Sequence, residues 1–226
     1  MKDIIVAIDG NAATGKSTQS KKIALFLNYK YIDSGAMYRA LTLYAIRNNI
    51  SPKNISQINF MLSNIKINFN FLNGENKTFL NGEDVEKLIR SEIVSKKVSS
   101  YARVKKIREF LILKQREFGL NKRIVMDGRD IGTVVFPKAE CKFFFKSDIK
   151  ISAKRRFKEI IESGTQITYE DVFKEVSKRD TSDKNRLYSP LKKAKDSIEV
   201  DVSNKSVDQT FEYLIQIIQR KIKGFN

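Results

Sequence analysis

The residues Gly10-Asn11-Ala12-Ala13-Thr14-Gly15-Lys16-Ser17 fit the spacing G-x-x-x-x-G-K-[ST]. Glycines let the backbone turn tightly and aim its amides inward, and the N-terminus of a following helix adds partial positive charge. Such a loop cradles phosphates, with Lys16 reaching the outer groups and the Ser17 hydroxyl available to Mg²⁺. Thr18 either touches phosphate or steadies the first helical turn. The cradle predicts a nucleoside triphosphate user without separating kinases, GTPases and ATPase motors.

Three further constellations supply charge. Asp33-Ser34-Gly35-Ala36-Met37-Tyr38-Arg39 offers Ser34 as a helix cap or a ligand contact and places Arg39 about one turn into a helix. In Asp127-Gly128-Arg129-Asp130 the first carboxylate is suited to holding Mg²⁺ through water, and Arg129 reads as a phosphate ligand supported by carboxylates. Arg155-Arg156 and the run Lys178 to Arg186 (KRDTSDKNR), separated by Ser163-Gly164-Thr165, read as a helix–loop–helix lid carrying cations. A solvated charge run is the plainer interpretation of that last segment.

These residues need a frame. Ile4 to Ile8 is a continuous apolar run, as expected of a strand buried on both faces. Tyr31–Asp33, Arg123–Asp127, Cys141–Lys146 and Ser197–Val202 are the other strand candidates. Helical spacing appears over Ser17–Leu27, Ala36–Ile46, Ser91–Phe118, Ile151–Ile161, Tyr169–Lys178 and Val207–Ile222. Strands alternating with helices predict an α/β fold with a parallel sheet. Lys66–Leu80 departs from this rhythm: it alternates around Asn73-Gly74, the signature of a hairpin inserted outside the main sheet.

The bulk composition narrows the chemistry. The chain has no histidine and one cysteine, Cys141, which excludes histidine triads, phosphohistidine and multi-cysteine metal sites. Phosphoryl transfer fits what remains, because it depends on positioning and cationic stabilisation. With 43 Lys and Arg against 26 Asp and Glu, the formal charge is +17, which raises nucleic-acid binding as an alternative. No run approaches a membrane span and no signal-peptide pattern opens the chain, so a soluble cytoplasmic protein is expected.

In order, the cradle, DSGAMYR, the hairpin, IREFLILKQR, DGRDIGTVVFP and KRDTSDKNR resemble bacterial cytidylate kinases over nearly the whole length. The resemblance implies a P-loop nucleoside-monophosphate kinase fold: a central parallel five-stranded sheet flanked by helices, a small antiparallel insertion and a helical lid. It implies one kinase domain, with the core at 1–34, 119–150 and 187–226, a monophosphate-binding region at about 35–118 and a lid at about 151–186. By the same resemblance Ser34, Ser99, Arg108 and Asp130 line the pyrimidine and nucleoside pocket. Arg39, Arg129, Arg179 and Arg186 gather at the acceptor phosphate, and Asp183 meets the ribose hydroxyls. Lys16, Arg129, Arg155, Arg156 and Arg179 are the catalytic candidates, with either lid arginine open as the one at the transferring group. Gly10 to Thr18 hold ATP. Mg²⁺ is the expected cofactor, on Ser17 and, through water, Asp127.

The implied reaction is transfer from ATP to CMP, and to dCMP, by a monomer with no specific nucleic-acid or membrane partner. A UMP or AMP kinase, and a P-loop NTPase, are the alternatives; against a GTPase, no clear N-K-x-D guanine signature is found. The loop departs from the usual family pattern: Asn11 stands for a proline and Ala13 for the middle glycine, which leaves donor preference open.

Overall fold

The structure is a computed structural model, and it describes residues 3–72, 75–162 and 164–224. Along the chain run β1 (Ile5–Gly10), α1 (Lys16–Leu27), β2 (Lys30–Asp33), α2 (Ser34–Arg47) and α3 (Ile55–Asn64). Then come β3 (Ile67–Leu72), β4 (Glu75–Leu80), β5 (Glu83–Asp84), a 3-10 turn at Leu88–Arg90, α4 (Glu92–Tyr101) and α5 (Lys105–Phe118). The remainder is β6 (Ile124–Gly128), a π turn at Ile131–Val135, β7 (Cys141–Lys146), α6 (Ile149–Glu162), α7 (Tyr169–Asn185), β8 (Ile198–Asp201) and α8 (Val207–Ile222).

The chain forms two compact units: residues up to Tyr31 together with those from Gly119 onward, and Ile32–Phe118. The main five-stranded sheet is ordered β2-β6-β1-β7-β8. In it β1 lies parallel to β6 and β7, and β7 parallel to β8. Every residue of β1 is buried, the outcome its unbroken apolar run requires when helices cover both sheet faces. Val6, Ile8, Val125, Phe143 and Phe145 pack with Ile23 of α1 and with Leu214 and Ile218 of α8. Each fully buried side chain of this size contributes about 1.5–3 kcal/mol. Helix α8 starts in a complete capping box, Ser206 with Gln209.

The second unit holds the three-stranded antiparallel sheet β3-β4-β5. Its core joins Met37 and Leu41 of α2 with Ile58 and Met61 of α3, Ile89, and Ile107 and Leu111 of α5. The alternation in Lys66–Leu80 becomes the β3–β4 ladder, Ile67 facing Leu80. The Asn73-Gly74 turn and Ser163 lie outside the described residues.

Several expectations change. Helix α3, capped by Asn54, went unread in the sequence. The stretch Ser91–Phe118 is two helices, because the chain breaks over 102–104 and the carbonyl of Ala102 accepts from Arg108 Nη1 at 3.1 Å. Helix α7 continues past Lys178 to Asn185, so Arg179, Asp180 and Asp183 are helical. Asp33, not Ser34, caps α2: its carboxylate accepts the Ala36 amide at 2.9 Å, and Ser34 is the first helical residue.

Candidate active site

In the first unit the phosphate loop leaves β1 at Gly10, where φ is +151°. A Cβ there would stand 2.2 Å from the Phe145 carbonyl oxygen, so no other residue fits between β1 and β7. Ala13 adopts φ +54° and Gly15 φ +76°. A left-handed alanine costs roughly 1–2 kcal/mol against an ordinary conformation. Thr14 Oγ1 donates to the Asn11 carbonyl at 3.0 Å. Lys16 Nζ donates to that carbonyl and, at 3.2 Å, to Thr14 Oγ1. Burial, with the nearby Arg129 and Arg179 guanidiniums, pushes the Lys16 ammonium down to about 7. Thr18 is exposed on the first turn of α1.

Ser17 Oγ donates to Asp127 Oδ2 at 3.1 Å, and Tyr31 donates to Asp127 Oδ1 at 2.8 Å. The phenol fixes the carboxylate while its other oxygen meets the serine. A hydroxyl and a carboxylate at one point form a hard oxygen donor pair, the type Mg²⁺ takes alongside phosphate oxygens. The residues therefore fit the cation.

Behind Arg129 stands Asp9, which sequence reasoning missed. Its two oxygens accept the amides of Ile131 and Gly132 at 2.8 and 2.7 Å. This pins the π turn that follows Arg129 and Asp130, and burial pushes the Asp9 carboxyl up to about 7. The only sequence signal was an acidic residue inside an otherwise apolar strand.

Arg129 Nε donates to Asp183 Oδ2 at 2.8 Å. Burial opposes its charge, but Asp183, with Asp180 and Asp127, outweighs it and holds Arg129 above its ordinary value. Arg186 reaches Asp183 at 3.4 Å and Asp130 at 3.6 Å, and its Nε donates to the Ser189 carbonyl at 2.6 Å. Arg129, half-buried, thus joins the buried Asp130, Asp183 and Arg186 in one network. Arg179 differs: among the described residues it makes no hydrogen bond or ion pair, and burial together with Arg129 pushes it down to about 10. Lys16, Arg129 and Arg179 repel one another electrostatically, an arrangement an incoming polyanion would relieve.

The lid arginines separate. Arg155 Nη2 donates to the Val202 carbonyl at 2.7 Å. Arg156 lies beside Glu159 at 3.0 Å, and its charge is one of those Arg179 feels.

In the second unit Arg39 is buried at the start of α2, donating to Ser95 Oγ at 2.8 Å and the Ile89 carbonyl at 3.4 Å. The Arg108 guanidinium lies over the Tyr38 ring, 5.2 Å from its centroid. Ser99 is half-buried on α4. Arg90, also missed, donates to Asp33 at 2.8 Å and to Glu86 at 2.9 Å. Burial favours a neutral Asp33, yet Arg90 outweighs it and holds the carboxyl below its usual range. Arg90 sits beyond DSGAMYR by more than fifty positions, so no local pattern links it to Asp33.

A sequence model of cytidylate kinase matches residues 6–220. The chain belongs to the cytidylate kinase family. A cytidylate kinase of Clostridium botulinum (strain Langeland) is 43% identical over 220 residues, 97% of this chain and 100% of that one. One from Caldanaerobacter subterraneus subsp. tengcongensis is 42% identical over 219 residues, covering 97% and 96%. Among solved structures, a Eubacterium ventriosum protein aligns with a TM-score of 0.54 at 14% identity over 96% of this chain and 99% of that one. A gluconokinase from Sinorhizobium meliloti aligns with a TM-score of 0.50 at 11% identity, over 98% and 94%. These two likenesses concern the fold alone. The expected fold class holds, and the family makes the chain a nucleoside-monophosphate kinase with ATP as phosphoryl donor. No helix among the described residues is long and apolar enough to cross a membrane.

Proposed function

We propose that this protein transfers the γ-phosphoryl group of ATP to the phosphate of CMP, giving ADP and CDP, and that dCMP is also accepted. The observation that carries the phosphoryl chemistry is the trio Lys16, Arg129 and Arg179, in which burial first and mutual repulsion second lower the proton affinity of Lys16 and Arg179. Family membership carries the choice of acceptor.

An oxygen of the CMP phosphate attacks the γ-phosphorus, and the bond from that phosphorus to the β–γ bridging oxygen breaks. The acceptor is anionic near neutral pH, so no general base is required, consistent with a chain that has no histidine. Gly10 to Thr18 bind the ATP phosphates. Lys16, Arg129, Arg179 and Arg156 offset charge on the equatorial oxygens, where cationic contacts act most strongly on the transition state. Arg155, engaged with the Val202 carbonyl, supports the lid instead. Ser17 and, through water, Asp127 would hold Mg²⁺, which when bound neutralises phosphate charge.

On the acceptor side we assign Arg39, Arg129 and Arg186 to the CMP phosphate, Asp183 to the ribose, and Ser34, Ser99, Arg108 and Asp130 to the base and nucleoside. The core, the monophosphate-binding region at about 35–118 and the lid at about 151–186 divide these tasks. We further propose a cytoplasmic monomer with no specific nucleic-acid partner.

A coupled ADP-release assay over CMP, dCMP, UMP and AMP tests the reading. CMP and dCMP are expected to give the highest kcat/KM. Preferred turnover of UMP or AMP, or phosphate release without any acceptor, would overturn it.

A further inference from the structure

Asp180, which no motif reading assigned a task, is buried on α7. Its Oδ1 accepts the backbone amide of Ala12 at 2.8 Å, and its Oδ2 accepts from Asn11 Nδ2 at 2.8 Å. Both donors lie in the phosphate loop, at its second and third residues. The contact has an apolar half as well: Ala12 packs into a small core with Val172 and Val176 of α7, flanked by Phe157 and Ile160 of α6. The lid helix therefore grips the phosphate loop through one carboxylate, two donors and a methyl group.

The gripped segment is next to the cation that most needs holding. Arg179 precedes Asp180 directly and, among the described residues, has neither hydrogen bond nor ion pair. This half-buried guanidinium is drawn by Asp183 and Asp180 and repelled by Arg129 and Arg156, so its position follows that of its helix. Asp183, one turn along the same helix, pairs with Arg129. Asp180 thus stands between Arg179, assigned to the phosphates, and Asp183, assigned to the ribose.

We propose that Asp180 is a positioning residue for phosphoryl transfer: it fastens α7 to the phosphate loop so that Arg179 is presented to the bound phosphates, and Asn11 reinforces the clasp. The Asn11 bond depends on a side-chain amide at that position of the loop.

Misplacing a charge-stabilising group by about 1 Å can cost on the order of a hundredfold in rate. The effect should fall on kcat, since Arg179 acts where charge develops, while KM for ATP, set by the loop amides and Lys16, changes little. The inference rests on the kinase reading, and the parent enzyme in the same assay keeps the two apart.

Purified parent, Asp180→Ala, Asp180→Asn, Asn11→Ala and the Asn11→Ala/Asp180→Ala pair are compared for kcat, KM for ATP, KM for CMP and thermal midpoint. The parent must release ADP in response to CMP; if it does not, the kinase reading fails by itself. Asp180→Ala should lower kcat by roughly 30- to 100-fold with KM for ATP within about threefold. Asp180→Asn, which keeps an acceptor for Ala12, should lose less. Asn11→Ala should lose about three- to tenfold, and the pair no more than Asp180→Ala alone, as expected of residues in one contact.

Asp180→Ala with near-parental kcat overturns the proposal. So does a lower KM for ATP at unchanged kcat, which would make the carboxylate a competitor of phosphate. Should Asp180→Ala fail to fold, Asn11→Ala decides, because it removes one surface-accessible donor and leaves the Ala12 bond: an unchanged kcat there refutes the clasp.

Discussion

Asp33 is shared between two partners: one carboxylate oxygen caps α2 through the Ala36 amide at 2.9 Å, and the other accepts from Arg90 Nη2 at 2.8 Å. The cap fixes where α2 begins, and α2 carries Ser34 and Arg39. Arg90 follows Ile89, whose carbonyl accepts from Arg39. The 3-10 turn thus braces both ends of the segment assigned to the acceptor.

Arg90→Ala is therefore expected to raise KM for CMP roughly tenfold, equivalent to about 1.4 kcal/mol, with KM for ATP within twofold of the parent. Steady-state kinetics with each nucleotide varied in turn measures this. Equal effects on both nucleotides would count against a role specific to the acceptor segment.

Arg129→Ala should lower kcat by on the order of 10²–10³, the typical loss for one electrostatic contact to a transition state. Asp183 keeps Arg186 as a partner at 3.4 Å, so the fold should survive. Circular dichroism and single-turnover rates provide the check.

The two lid arginines should behave differently. Arg156→Ala is expected to reduce kcat by at least tenfold, because its charge reaches Arg179. Arg155 is committed to the Val202 carbonyl, and Arg155→Ala should instead lower the thermal midpoint with a smaller change in turnover. A reversed pattern in the paired assay would exchange their assignments.

Ala13→Gly removes a left-handed alanine at φ +54°. Relief of roughly 1–2 kcal/mol, less about 0.4–1 kcal/mol for the freer unfolded glycine, predicts a gain of up to about 1.6 kcal/mol. Urea unfolding of the two proteins measures it. A loss of stability would mean that the alanine methyl makes compensating contacts.

Asp183 provides the pH test. Burial pushes its carboxyl up, but Arg129, Arg179 and Arg186 together pull harder and hold it below the ordinary range. The unfolded chain then binds the proton more readily than the native one. Its stabilising effect is full above the unfolded value of about 3.9 and fades as pH falls through the lower native value. Between pH 6 and pH 3, Asp183→Asn should lose less unfolding free energy than the parent. Parallel losses would show that Asp183 does not titrate in this way.

The sequence by itself determined the elements whose signals are local. An unbroken apolar run made β1 a buried strand, G-x-x-x-x-G-K-S made the loop after it a phosphate cradle, and the β3–β4 alternation made a hairpin. Single motifs also named Lys16, Ser17, Arg39, Asp127 and Arg129, because each stands beside a strand end or a helix start. Only the tertiary structure brought Asp9 to the amides of Ile131 and Gly132, Arg90 to Asp33, and Asp180 to Asn11 and Ala12. In each case the partners are separated by between 57 and 169 positions. A carboxylate's role is decided by which donors surround it after folding, and residue order carries no record of a contact closed across so long a loop. The same reason separates Arg155 from Arg156: adjacent and chemically identical, they differ only in what the packed helix turns each of them toward.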